Sequence, residues 1–293
     1  MVNNRNEKYL FPLSIQLTMS DDLYCPDFVN TLAILAEYGF YGIELNIIDF
    51  DKYRPAKYVD LLADYNLKLV NIASGAYAKR LQLSLSSEDS AIRKRAVAET
   101  KGMIQFASEI DTGVICGFLK GNAVGNRDLS NQNFIKSLSE LDADILLYKT
   151  PFLIEATNRY ESTIVNTLSD AVGIISSFTN PYMRLLPDTF HMNIEEADTN
   201  YALLQHRDYF KHLHISDNNR HFPGYGAIDF SKIFALLKGM GYQGSVAIEG
   251  NPYHSLKESI IFSAQYLNNI SYKLLPTLRG GACFNSQNKG ERW

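Results

Sequence analysis

Residues 213–230 read LHISDNNRHFPGYGAIDF. The segment opens on an apolar strand in which His214 stands between Leu213 and Ile215, and Arg220 follows six residues later in a polar loop. Pro223-Gly224-Tyr225-Gly226 then turns the chain into Ile228-Asp229-Phe230, the start of a helix. A β-rich run, a Gly/Pro turn and a helix start make one βα unit. Three other stretches share the form and close their β-rich runs on an acid: LIEATNRYE around Glu155, LLPDTFH around Asp188 and VAIEG around Glu249.

The same alternation extends outward over the whole chain. Strands are expected at 13–18, 42–46, 68–73, 113–118, 151–155, 184–188, 210–215 and 245–249. Helices are expected between them at 26–38, 53–64, 91–110, 132–148, 162–178, 194–206 and 230–240, with a last one carrying Leu256, Ile260, Ala264 and Leu267 on its inner face. Pro26 suits a first helical turn, where its missing N–H costs nothing, and Gly39 suits the stop. The 91–110 helix places Ile92, Ala96, Met103, Ala107 and Ile110 at helical spacing. Eight alternating units of this kind predict an α/β protein, a single (β/α)8 TIM barrel. Its expected span is 1–278, with a polar, Gly-containing tail at 279–293.

Period-two facing sharpens the expectation, since alternate strand residues share a side. Ala247 and Glu249 share one side, as do His212 and His214, Leu153 and Glu155, and Gly42 and Glu44. Polar side chains thus point into the barrel at the C-terminal strand ends, where barrel active sites form.

The chain's 293 residues lie near the roughly 250 of one such barrel. No apolar run approaches the ~18 residues that span a bilayer, and the first residues do not read as a signal peptide, so no membrane partner is expected. Cys25, Cys116 and Cys283 are odd in number and lack a zinc spacing, which fits reduced thiols and a cytoplasmic location. A net charge of −4 disfavours a broad nucleic-acid-binding surface.

Glu155, Asp188, His214 and Glu249 together supply three carboxylates and one imidazole. Any one of them reads equally well as a capping or salt-bridged acid. Four at successive strand ends, all facing in, read as a metal site. A mostly oxygen donor set suits one divalent ion, Mn2+ first and Mg2+ or Co2+ as alternatives, over structural zinc. Crowded carboxylates also need such a cation to offset their repulsion. His191 lies just beyond strand six, and His212 one layer below His214 as a hydrogen-bonded core histidine able to orient it. His206, His221 and His254 read as surface or rim residues. Arg220 offers a forked donor, and Glu161 a helix cap or a bond to a ligand hydroxyl, with Asn158 in a similar role.

These pieces resemble the xylose isomerase-like barrel superfamily and, within it, the ketose 3-epimerases typified by D-tagatose and D-psicose 3-epimerases. The matching segments are GFYGIEL at 39–45, IEATNRYE at 154–161, DTFHMNIEE at 188–196, HISDNNRHFPGYGAIDF at 214–230 and GYQGSVAIEG at 241–250. The resemblance implies that Glu155, Asp188, His214 and Glu249 hold the metal and that Glu155 and Glu249 also form the acid/base pair. It implies that His191, Arg220 and Glu161 contact the sugar or position the glutamates. Asp217 stands where relatives often have glutamate, and Glu44 is read as structural. The implied reaction is C3 epimerisation of a free ketose through a cis-enediolate, with two bases serving opposite sides of a planar intermediate. Homo-oligomers, dimers or tetramers, are common among such relatives.

An aldose–ketose isomerase, of the hydroxypyruvate- or xylose-isomerase kind, and a polyol dehydratase are alternatives on the same site. A non-catalytic sugar-binding barrel would not need two opposed bases. An endonuclease IV-like nuclease would need histidines from the early strands, and none precedes His191.

Overall fold

The computed structural model describes residues 8–18, 22–121 and 126–275. The strands are β1 (Leu13–Thr18), β2 (Gly42–Asn46), β3 (Lys68–Ala73), β4 (Gly113–Cys116), β5 (Phe152–Glu155), β6 (Met183–Leu186), β7 (His212–Ile215) and β8 (Ser245–Ile248). All pair in parallel in the order β6-β5-β4-β3-β2-β1-β8-β7. The two outer strands meet through one bridge, Asp188 to His214, where the His214 N–H donates to Pro187 O at 2.9 Å. The fold is therefore the expected (β/α)8 barrel, and its seam falls between two of the candidate ligands.

The helices are α1 (Pro26–Tyr38), α2 (Pro55–Asp64), α3 (Gly75–Leu81), α4 (Ser90–Ser108), α5 (Arg127–Tyr148), α6 (Leu168–Ile175), α7 (Thr189–Glu195), α8 (Thr199–Gln205), α9 (Phe230–Gly239) and α10 (Leu256–Leu274). Pro26 opens α1, and Gly39 closes it at φ 79°, its N–H reaching back to Leu35 and Ala36 carbonyls. Such a left-handed cap is nearly free of cost only for glycine. No described helix is long and apolar enough to cross a membrane. Cys25 is half-buried and Cys116 buried; Cys283 and the expected tail at 279–293 lie outside the described residues.

Several expectations need correction. Helix α3 intervenes between β3 and the long helix, an element the sequence pattern does not predict. Ile92 is 38% exposed, and Arg93 takes the buried place beside it, bonding Ser137 at 3.1 Å and Glu140 at 2.8 Å on α5. The helix expected at 162–178 begins only at Leu168, with a reciprocal capping box between Thr167 and Asp170. The one expected at 194–206 is two short helices, each N-capped by an aspartate, Asp188 and Asp198.

Two cores result. Leu13, Ile15, Ile43, Val114, Phe152, Ile154, Leu185, Leu213, Val246 and Ile248 belong to the large cluster shared with the helices. Ala73, Ile115, Leu153 and Leu186 form a separate apolar plug. By the alternation of β-strand side chains, these are the inward-facing residues of β3, β4, β5 and β6. Their counterparts on the other side of the barrel, Ser14, Glu44, His212 and His214, are polar and buried.

Candidate active site

Glu155 ends β5, Asp188 caps α7 just past β6, His214 lies in β7 and Glu249 follows β8. One ligand atom from each lies within 4.8 Å of those of the other three. His214 Nδ1 is the hub: 2.8 Å from Glu249 Oε2, 3.5 Å from Glu155 Oε1 and 3.9 Å from Asp188 Oδ2. The Asp188 carboxylate is divided between two tasks. Its Oδ1 accepts the Phe190 N–H at 2.7 Å, fixing the helix start, while Oδ2 faces the cluster. Glu155 has room because of Gly117: a Cβ there would stand 2.1 Å from Glu155 Oε2.

Beneath the cluster runs a buried polar ladder. His214 Nε2 lies 2.8 Å from Glu44 Oε2, and His212 Nε2 lies 2.7 Å from Glu44 Oε1, close enough for an ion pair but without hydrogen-bond alignment. Asn71 donates to the same Oε1 at 2.7 Å, and His212 Nδ1 meets Ser245 Oγ at 2.7 Å. His212 is thus the hydrogen-bonded core histidine expected; its ring packs edge-to-face on His214, centroids 5.6 Å apart, and both rings reach the Glu44 carboxylate. Glu44 is more than a structural acid. It fixes the His214 ring so that Nδ1 faces the cluster. Burial pushes its carboxyl up, but the His214 and His212 charges outweigh burial and hold it well below the usual range. Burial likewise works against protonated His214, yet the Glu44 and Glu249 carboxylates raise it well above an ordinary histidine.

Arg220, His191 and Glu161 line the cavity around the cluster. Arg220 Nη1 donates to Asp188 Oδ2 at 2.7 Å, and Nη2 lies 3.1 Å from Glu249 Oε2. Its guanidinium covers the Phe190 ring at 4.9 Å. Burial pushes Glu249 up, but the Arg220 and His214 charges outweigh it and hold Glu249 well below the carboxylate range. The Asn158 N–H donates to His191 Nδ1 at 3.2 Å, so the ring proton lies on Nε2, 3.8 Å from Glu155 Oε1. Glu161 is exposed and accepts from Asn158 Nδ2 at 3.3 Å; it caps no helix. Asn158 therefore serves to place His191 and Glu161.

Asp217 organises the loop rather than the cluster. Its carboxylate accepts backbone N–H bonds from Gly224, Gly226 and Ile228 at 3.0, 2.8 and 2.9 Å. Arg220 is held at φ 64° on that loop. Among the other histidines, His221 and His254 are at the rim, but His206 is buried and bonds Ser169 Oγ at 3.0 Å, contrary to the surface reading. Lys120, which the sequence reading did not single out, is buried beside the cluster with its Nζ on Thr157 Oγ1 at 2.5 Å.

A cavity of about 370 Å³ opens over the cluster, its walls including Gln16, Asn46, Phe118, Lys120, Glu161 and His191. Its volume lies in the range of small-molecule sites. The donor set fits a divalent cation on two counts. Glu155 Oε1 is buried without a hydrogen-bond partner among the described residues, an orphan that an ion would satisfy. Three carboxylates and one guanidinium also leave two negative charges, which a divalent ion would cancel on displacing the proton from His214 Nδ1.

A parallel barrel with carboxylates and an imidazole gathered at its C-terminal mouth defines a class of small-molecule enzymes. Comparison with known proteins gives the family: residues 32–269 match the model of the xylose isomerase-like TIM barrel, and the chain belongs to that family. It is similar to the 3-dehydro-D-guloside 4-epimerase of Escherichia coli, 41% identical over 101 residues, 34% of this chain and 38% of that one. The match thus spans well under half of that relative. Similarity to the D-psicose 3-epimerase of Enterocloster bolteae is longer, 25% over 230 residues and 76% of each chain. The fold is also that of the apo 3-keto-D-glucoside 4-epimerase from E. coli, with a TM-score of 0.76 and 21% identity over 88% of this chain and 99% of that one.

Proposed function

We propose that this chain is a sugar epimerase, an isomerase that inverts the carbinol carbon next to a ketone. The carrying observation is the convergence of Glu155 and Glu249, from opposite ends of the β5–β8 run, on one His214 nitrogen. Glu155, Asp188, His214 and Glu249 hold one divalent ion, Mn2+ in the first instance, with Mg2+ or Co2+ as substitutes. When bound, it supplies Lewis-acid stabilisation of the enediolate. One glutamate takes the proton from the carbinol carbon, and the other returns one to the opposite side. Arg220 keeps Glu249 ionised and aimed, and its remaining donors suit a sugar oxygen. His191 presents its Nε2 proton toward the Glu155 side, and Glu161 accepts a sugar hydroxyl at the rim.

The preferred substrate is a free ketose, inverted at C3. This reading is supported by the length of the similarity to D-psicose 3-epimerase. A second reading is favoured by a different observation, the 41% identity to 3-dehydro-D-guloside 4-epimerase. There the ketone is at C3 of a glycoside and the inverted carbon is C4, with the same division of labour among the side chains.

Turnover in D₂O with Mn2+ separates the cases. Deuterium is expected at C3 of a ketohexose or at C4 of a 3-keto glycoside. Label at C1 or C2 would make the protein an aldose–ketose isomerase, and product without solvent label would remove the two-base mechanism.

A further inference from the structure

We infer that Lys120 is a substrate-binding residue, its ammonium donating to an oxygen of the keto sugar on the Glu155 side of the cavity. This deepens the epimerase reading and rests on it. Lys120 is 1% exposed, yet it lines the cavity over the cluster. An ammonium carries three N–H donors. Among the described residues only Thr157 Oγ1 accepts one of them. Among the described residues no carboxylate pairs with its Nζ: Glu155 lies against the imidazoles of His191 and His214, and Glu161 accepts from Asn158. A lysine serving only as an internal counter-ion would be expected to sit directly on a carboxylate.

The backbone around Lys120 is fixed on several sides. Its N–H donates to Gly117 O and its carbonyl accepts from Ser86 N–H, both at 3.1 Å. The next residue, Gly121, accepts from Ser162 Oγ at 2.9 Å. Thr157 is held in turn, its N–H on Val165 O at 3.2 Å and its carbonyl on Asn166 Nδ2 at 2.8 Å. A buried cation whose other donors meet no acceptor among the described residues, set rigidly in the wall of a cavity, is a pre-organised donor. Sugar hydroxyl oxygens supply that acceptor, and a site built to bond a hydroxyl discriminates strongly against its absence.

The test uses the full chain loaded with Mn2+ and calorimetric binding of D-psicose and of methyl 3-dehydro-glucoside. Each is compared with a series of mono-deoxy analogues lacking one hydroxyl outside the reacting pair. Lys120→Met is expected to weaken binding of the accepted sugar roughly 10- to 100-fold, with Mn2+ affinity and melting temperature not lowered. The loss should vanish for one deoxy analogue, the one missing the hydroxyl that Lys120 meets. Lys120→Gln provides the same comparison should the methionine variant misfold, and Thr157→Val should keep the discrimination because the ammonium remains. Wild-type sugar affinity in both Lys120 variants overturns the assignment, as does an equal loss for every analogue together with lost Mn2+ binding. If the wild type binds neither keto sugar, the epimerase reading falls and this one with it.

Discussion

Strands β5–β8 and strands β1–β4 have the same architecture but supply the site with different things. The β5–β8 half provides the four clustered ligands Glu155, Asp188, His214 and Glu249, together with His191, Arg220 and Glu161 beyond its strand ends. The β1–β4 half provides what stands behind and beside them: Glu44 under His214, Gly117 beneath Glu155, Lys120 in the wall. The even-handed geometry of a barrel thus hides a division into a half that carries the chemistry and a half that supports and shapes it. Substitutions on the two sides should differ in what they change.

The largest effect is expected on the chemical side. Glu249→Gln keeps the shape but removes a proton carrier, and turnover should fall by about 10³-fold, within the range for positioned acid/base groups. Sugar binding at saturating Mn2+ should survive, measured by calorimetry. Turnover retained within tenfold of wild type would mean that Glu249 is a ligand only.

Gly117→Ala tests whether the early half sets geometry. A methyl group 2.1 Å from Glu155 Oε2 must displace the carboxylate. A shift of about 1 Å at a reacting group costs on the order of 10²-fold in rate. A variant with unchanged kcat/KM would show that the Glu155 position tolerates more than a tight site should.

Glu44→Gln follows in size and separates support from chemistry most cleanly. The amide keeps the contact to one histidine and loses the negative charge that both share. Mn2+ affinity is expected to fall about 10- to 100-fold, the usual consequence of losing an outer-shell partner. Turnover should recover at high Mn2+, which a direct role in proton transfer would not allow. Competition with a chelator reads the affinity, and a steady-state titration with metal reads the recovery.

The same division explains what could be read in advance. The strands were legible because short β-branched runs end at Gly, Pro or charged residues, and the four candidate ligands because each interrupts such a run at its C-terminal end. Glu44 sits in an equally plain run, GIELN, but its meaning lies in His214, 170 positions away. Nothing local distinguishes it from a salt-bridged strand acid. Lys120 was hidden by a conformation: β4 stops at Cys116, and a 3-10 turn at Phe118–Lys120 folds the lysine inward. The apolar spacing at 162–178 promised a helix, but side chains compete for the backbone there. Asn166 Nδ2 bonds the Thr157 and Ser162 carbonyls at 2.8 and 2.6 Å, and Val165 is driven to φ 54°. A β-branched residue in that region is strained, and tertiary contacts around the site keep it there.

The smallest expected effect concerns stability, and it bears on why the supporting half keeps a buried cation. Burial pulls Lys120 from 10.5 to about 8, against the charges of Glu155 and Glu161, which hold it up. Below pH 8 both folded and unfolded chains carry the proton, and the burial cost is fully present. Between about 8 and 10.5 the unfolded chain binds the extra proton, so this group makes stability rise with pH. Lys120→Met removes the cost but also the bond to Thr157, worth about 1 kcal/mol. The variant should therefore be more stable than wild type by roughly 2 kcal/mol at pH 7, and the difference should shrink as pH approaches 10. Buried Tyr9 and Tyr58, which burial raises above the ordinary tyrosine range, lower stability at still higher pH in both proteins and cancel in the comparison. Denaturant melts at pH 7 and 9.5 give the two differences. A variant less stable than wild type at pH 7 would make Lys120 a structural cation, and the stability sacrificed there would no longer point to a ligand.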